Sequence, residues 1–272
     1  MSTPAPKPPV EEPIVEFHKV TKTYDDNHTA IKDINFTVTN KPAKGEFVSI
    51  LGPSGCGKST ILRLIAGLRP QFPPTIGTVK VMGKHVEAPG ADRGMVFQDY
   101  TSFDNRTVLD NIAFGLECAG VAAKERRDRA RLWLGKVGLD AIRDGRKYPH
   151  QLSGGMRQRV AIARTLILTP RIILMDEPFG ALDPLTRLNM QDLLISLWRE
   201  QEETVFFVTH SVEEAVFLGD RILVLSSGPG TIIKDMELPS PDRPAREMQR
   251  ERQFSETVFA IRDIVEKFEA AK

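Results

Sequence analysis

Gly52-Pro53-Ser54-Gly55-Cys56-Gly57-Lys58-Ser59-Thr60 follows the spacing G-x-x-x-x-G-K-[ST], in the context that spacing requires. The apolar run Phe47-Val48-Ser49-Ile50-Leu51 precedes it and reads as a buried strand. Ile61 to Leu68 follows it as a helix expected to end near Gly67, ahead of Pro70. Glycines let consecutive backbone N–H groups point into one concavity, and the helix start adds its positive end, so the loop suits a polyphosphate. Lys58 can reach the β- and γ-phosphates, and the Ser59 hydroxyl can ligate Mg²⁺. The stretch therefore predicts binding of a nucleoside triphosphate across residues 52 to 60. Cys56 stands near the helix start, which predicts a lowered thiol pKa and a reactive side chain that bound nucleotide protects.

Working outward, the strand Ile172-Ile173-Leu174-Met175 ends in Asp176-Glu177. Alternation puts the two carboxylates on opposite sides of the strand end. Asp176 is expected to face the metal shell, and Glu177 the water that attacks the γ-phosphate, as general base. Val205–Thr209 is a second buried strand with His210 at its C-terminal end, where open α/β sheets carry their ligand-contacting residues. Among five histidines, His210 is the one placed to sense the γ-phosphate; His18, His28, His85 and His150 lack such a position. Met95-Val96-Phe97-Gln98 reads as a strand ending in an amide able to approach the metal or the water. Ser153 caps a helix expected from Met156 to Leu168. With Gly154 and Gly155 it is either a second anion-contacting helix start or an ordinary cap. Tyr24 lies between two strands, as a ring for stacking on a purine or as a turn tyrosine.

Composition narrows the function classes. The 272 residues are 41% hydrophobic, and 37 basic residues balance 36 acidic ones, so no nucleic-acid footprint is visible. No apolar run reaches the ~18 residues of a membrane span, and the N-terminus has no signal-peptide pattern. Two cysteines do not make a disulfide framework, and a reduced, cytosolic setting is expected. Residues 1–13, with five prolines, read as a disordered lead-in. Alternating runs at 14–17, 34–38 and 77–81 predict a small antiparallel sheet. The chain is expected to be helical from Thr107 to about Trp133, where the charged run 124–131 reads as a solvated helix face. A helix is expected from about Pro184 to Glu200. Phe254, Val258, Ile261, Val265 and Phe268 form one helical stripe in a C-terminal helix, 246–272.

As a set, these residues resemble the ATP-binding subunit of ABC transporters, from about Ile14 to Leu238. Residues 52–60 look like Walker A, and Ile172–Glu177 like Walker B with its catalytic glutamate. Leu152 to Met156 resembles the signature, Gln98 the Q-loop, Ala181-Leu182-Asp183 the D-loop, His210 the switch histidine and Tyr24 the base-stacking aromatic. The resemblance implies an α/β P-loop NTPase (RecA-like) core with a small antiparallel β subdomain and an α-helical subdomain at about 99–165, within a domain spanning 14–245. It implies ATP and Mg²⁺, with Ser59, Gln98 and Asp176 at the metal and Glu177, His210, Gln98 and Lys58 at the reacting phosphate. It also implies a head-to-tail homodimer, or pairing with a related ATPase subunit. Ser153, Gly154, Gly155 and Asp183 would then serve ATP across the interface. Further expected partners are integral permease subunits and, indirectly, a solute-binding protein, with no nucleic acid and a peripheral place on the cytoplasmic face of a bacterial inner membrane. Within the family the motifs look most like importers of the nitrate/sulfonate/taurine type. The alternatives are the same ATPase serving an exporter or lipid transporter, or a soluble relative acting on nucleic acid or the ribosome. Two departures stand out: Met156, where most of the family has glutamine, and Phe103-Asp104-Asn105-Arg106, where many such importers carry a Pro-Trp stretch.

Overall fold

The computed structural model describes residues 12–39, 45–99, 101–200 and 203–270. Alternation of apolar and polar side chains builds its first layer. β1 (Pro13–Thr23) and β2 (Thr29–Thr39) pair antiparallel, and β4 (Ile76–Val81) pairs with the other edge of β1. The short β5 (Lys84–His85) completes a four-stranded sheet in the order β2-β1-β4-β5. Phe17 and Phe36 stack across β1 and β2 with ring centroids 4.6 Å apart. Pro13, read from sequence as part of the lead-in, opens β1 instead; the rest of that lead-in, up to residue 11, lies outside the described residues.

The second sheet has six strands in the order β10-β9-β3-β8-β7-β6. β3 (Phe47–Leu51), β6 (Arg93–Val96), β7 (Ile172–Asp176), β8 (Thr204–Thr209) and β9 (Arg221–Leu225) run parallel, and β10 (Ile232–Glu237) closes one edge antiparallel. β3, β7 and β8 are buried at every position, because both faces are covered. Alternation divides their side chains between two cores. Val48, Ile50, Ile172, Leu174, Phe206 and Val208 pack with the antiparallel sheet and α1 (Lys58–Ala66). Phe47, Ile173, Met175, Val205 and Phe207 face the other way, into the helices.

Those helices are α2 (Val108–Cys118), α3 (Ala123–Lys136), α4 (Gly154–Leu166), α5 (Pro184–Arg199), α6 (Val212–Leu218), α7 (Ala245–Met248) and α8 (Arg252–Ala270). The helical stretch expected from Thr107 is two helices, because Gly120 takes φ +75° between them. The strand expected at 95–98 ends at Val96, so Gln98 stands beyond it. Ser153, Asp183 and Ser211 each cap a helix, their side chains accepting from the backbone N–H of Met156, Thr186 and Glu214. The C-terminal segment is also two helices. In α8 the stripe buries Phe254, Val258 and Ile261, while Phe268 stays exposed.

Parallel pairing sets the ends of the strands side by side. Leu51 is level with Thr209, and Asp176 with Val208. The loops that leave β3, β7 and β8 therefore emerge together at one edge of the sheet.

Candidate nucleotide site

At that edge the loop after β3 wraps the start of α1. Gly55 and Gly57 take φ +77° and +92°, which L side chains rarely adopt, and Gly57 precedes the first helical residue. Gly67 ends the helix at φ +74°, as expected. Lys58 is 4% exposed, and its ammonium donates to the carbonyls of Gly52 and Pro53, both at 2.9 Å. It also lies 3.6 Å from Glu177 Oε1. The lysine is thus folded along the loop with its charge at the mouth of the helix.

The Ser59 hydroxyl donates to Asp176 Oδ1 at 2.7 Å, joining α1 to the end of β7. Burial pushes the Asp176 carboxyl up from its ordinary pKa, while the Ser59 hydrogen bond and the Arg63 guanidinium, 3.7 Å away, pull it down. A buried carboxylate and a hydroxyl side by side are hard oxygen donors of the kind that suit Mg²⁺ held jointly with phosphate. Among the described residues no cluster of three or more His, Cys, Asp or Glu forms a self-sufficient metal cage.

Glu177 adopts φ +43°, unusual outside glycine, which turns the chain sharply at the strand end. Its Oε2 lies 3.0 Å from His210 Nδ1. The Glu177 N–H donates to Val208 O, so the turn is tied to the neighbouring strand that presents His210.

Tyr24, Ser54, Gly55, Gly57, Lys58, Ser59, Thr60, Gln98 and Glu177 line one open cleft of about 400 Å³. The Tyr24 hydroxyl lies 3.1 Å from Thr60 Oγ1, fixing the ring at the rim. Asp176 and His210 join this group through Ser59 and Glu177. Ser153, Gly154, Gly155 and Asp183 are not among the cleft residues; Ser153 and Asp183 are exposed helix caps elsewhere on the surface.

His28 also lines the cleft, although its sequence position gave no reason to select it. The loop 24–28 folds back through the Tyr24 N–H to His28 carbonyl bond, and that is what carries His28 to the rim. Arg63 was missed as well: it lies one turn beyond Ser59, so helical periodicity puts it on the same face. Cys56 contradicts its expectation. The side chain is fully buried, and burial raises its pKa more than Lys58 and the backbone N–H groups lower it. The helix start is present, but desolvation wins.

Comparison with known proteins agrees with this geometry. The ABC transporter family profile matches residues 31–180, more than half the chain. The nitrate import ATP-binding protein NrtD of Synechocystis is 51% identical over 212 residues, 78% of this chain and 76% of that protein. The taurine import ATP-binding protein TauB of Escherichia coli is 47% identical over 209 residues, 77% of this chain and 78% of that protein. A dimeric ATP-binding cassette solved in a post-hydrolysis state with ADP and Pi superposes with a TM-score of 0.71 at 36% identity, covering 83% of this chain and 99% of that one. With the glycine loop of residues 52–60 opening on a cleft at the sheet edge and this likeness along most of its length, the chain belongs to the ABC transporter family as an ATP-binding subunit that hydrolyses ATP.

Proposed function

We propose that this subunit powers an importer of a small anionic solute of the nitrate, sulfonate or taurine kind. It acts on the cytoplasmic face of a bacterial inner membrane as a head-to-tail homodimer, or paired with a related ATPase subunit. The likeness to import ATPases for nitrate and taurine supports the solute class. No helix among the described residues is long and apolar enough to cross a membrane, in keeping with a permease made of other chains. The helical segment at about 99–165 is the arm proposed to dock on that permease, which receives solute from a binding protein.

One observation carries the site reading: two sets of polar contacts, Lys58–Glu177–His210 and Ser59–Asp176, meet at the edge of a single cleft through the adjacent residues 58–59 and 176–177. Residues 52–60 cradle the triphosphate with backbone N–H groups, and Lys58 turns from the Gly52 and Pro53 carbonyls to the β- and γ-phosphates. Tyr24 stacks on the base. Ser59, Asp176 and Gln98 are the groups that would hold Mg²⁺, which neutralises charge on the β- and γ-oxygens when bound. Glu177 takes the proton of a water lined up on the γ-phosphate, and His210, hydrogen-bonded to Glu177, orients that carboxylate and contacts the phosphate. Ser153, Gly154, Gly155 and Asp183 lie outside this cleft and complete the partner's site, so that two chains are needed for each turnover.

Glu177→Gln keeps the shape of the side chain but removes the base. ATP binding is expected to persist while turnover falls by about 10²-fold or more. Steady-state hydrolysis and nucleotide binding on the purified variant measure the two; unchanged turnover would remove Glu177 from the role. Reconstitution with the permease, comparing nitrate and taurine as stimulators of hydrolysis, tests the solute.

A further inference from the structure

Arg187, half-buried, and Glu214, buried, form a link that the site described above does not use. Glu214 is 6% exposed, and its Oε2 accepts the Thr209 hydroxyl at 2.6 Å. The Thr209 oxygen in turn accepts the Ser211 N–H at 3.0 Å, and the Ser211 hydroxyl accepts the Glu214 N–H at 3.2 Å. Both neighbours of His210 are therefore anchored to Glu214, Thr209 to its carboxylate and Ser211 to its backbone N–H. Arg187, in the first turn of α5, brings its Nε to 3.5 Å from Glu214 Oε1 and donates from Nη2 to the Leu182 carbonyl at 3.2 Å. Leu182 adjoins Asp183, the cap of α5, which holds the Thr186 N–H at 3.0 Å. A side chain at Gly155 would come within 2.9 Å of Thr186 Cγ2, so the start of α4 rests on the start of α5.

We propose that Arg187 is a positioning residue for hydrolysis, joining the Leu182–Asp183 turn to the loop that presents His210. One guanidinium thus holds together the His210 loop of a chain's own cleft and the Ser153–Gly155 and Asp183 surface that serves its partner's. The inference rests on the roles proposed for His210 and for that surface. A guanidinium fits the task because its planar fork sets a hydrogen bond and an ion pair in fixed, different directions, whereas an ammonium is a point charge without that fixed geometry.

A mere stabilising pair would act only through its charge balance, since an unpaired buried carboxylate is costly and an uncharged pair of similar volume is not. Three variants separate the two: Arg187→Met, Arg187→Lys and the double variant Arg187→Met/Glu214→Gln. Each is read by melting temperature, ATP affinity and kcat, with His210→Ala in parallel. Positioning predicts ATP affinity within about twofold of the parent and kcat down about tenfold or more, because small misplacements of reacting groups are expensive. It also predicts that the double variant recovers melting temperature but not kcat. Any of the three that folds and keeps kcat within about twofold of the parent overturns the assignment. If His210→Ala itself turns over normally, the underlying role of His210 fails; an active Arg187 variant beside an inactive His210→Ala removes Arg187 alone.

Discussion

At the scale of single residues, the phosphate loop separates Gly57, which the motif fixes, from Gly55, which stands at one of its open positions. A Cβ at Gly57 would lie 2.4 Å from Ile31 Cγ2 and 2.8 Å from the Ala30 carbonyl, at φ +92°. A Cβ at Gly55 would meet nothing within 4 Å, at φ +77°. Gly55→Ala therefore bears only the left-handed backbone cost of about 1–2 kcal/mol. Gly57→Ala adds a clash with β2 and is expected to lower the melting temperature further and to abolish ATP binding. Thermal unfolding and nucleotide titration of both variants check the contrast; equal losses would mean that the backbone, not the clash, dominates. Cys56 allows a second test. A fully buried thiol with a raised pKa has little thiolate to offer. Alkylation of the folded protein is expected to mark the exposed Cys118 and to reach Cys56 only after unfolding. Mass spectrometry of the labelled peptides distinguishes the two, and rapid labelling of Cys56 in the native protein would restore the reactive-thiol reading.

At the scale of elements, a single buried amide organises the segment between β6 and α2. Asn111 is fully buried, accepts the Phe103 N–H at 2.8 Å and donates to the carbonyls of Phe103, Arg106 and Thr107. Arg106 then lies over both Phe103 and Phe114, its guanidinium carbon 4.8 Å from the Phe114 centroid. The Phe103–Arg106 stretch, which departs from the importer pattern, thus folds as a ring-and-guanidinium stack fastened from beneath. Asn111→Ala removes the side-chain partner of the Phe103 N–H and the Arg106 carbonyl, each loss costing about 1–3 kcal/mol when buried. The Phe103 and Thr107 carbonyls keep the N–H groups of Arg106 and residue 111. The expected outcome is a loss of stability in that range in urea unfolding, with faster hydrogen exchange at Phe103. At the other end of the chain, α8 lays Phe254, Val258 and Ile261 on the body of the protein, and Arg262 pairs with Glu213 in the first turn of α6. The C-terminal helix is therefore held to the element that comes after His210.

At the scale of the molecule, the parts readable in advance were those with a local signature. Strands buried on both faces announce themselves as apolar runs, and the residues just after them, Gly52, Glu177 and His210, fall at the sheet edge because parallel pairing brings such ends level. The unread parts depend on contacts between distant segments. Arg187 with Glu214, Asn111 with the carbonyls of 103–107, and His28 at the cleft rim carry no spacing that marks them. Cys56 failed for the same reason: a helix start is visible in sequence, whereas the packing that desolvates the thiol is not.

The placement of β3 in the sheet also bears on how the protein is made. The strand that leads into the phosphate loop, complete at Leu51, finds both of its neighbours, β8 and β9, only between residues 204 and 225. During synthesis the loop emerges early, yet its flanks must wait for most of the chain to leave the ribosome. Nascent chains ending before Arg221 lack one side of β3 and are expected to retain no ATP, while chains extending past β10 acquire it. Ribosome-stalled truncations assayed on immobilised nucleotide would show that step, and capture by a chain stopped at Leu218 would contradict it. Nucleotide then arrives as a late ligand, closing a fold whose defining motif was translated long before it could work.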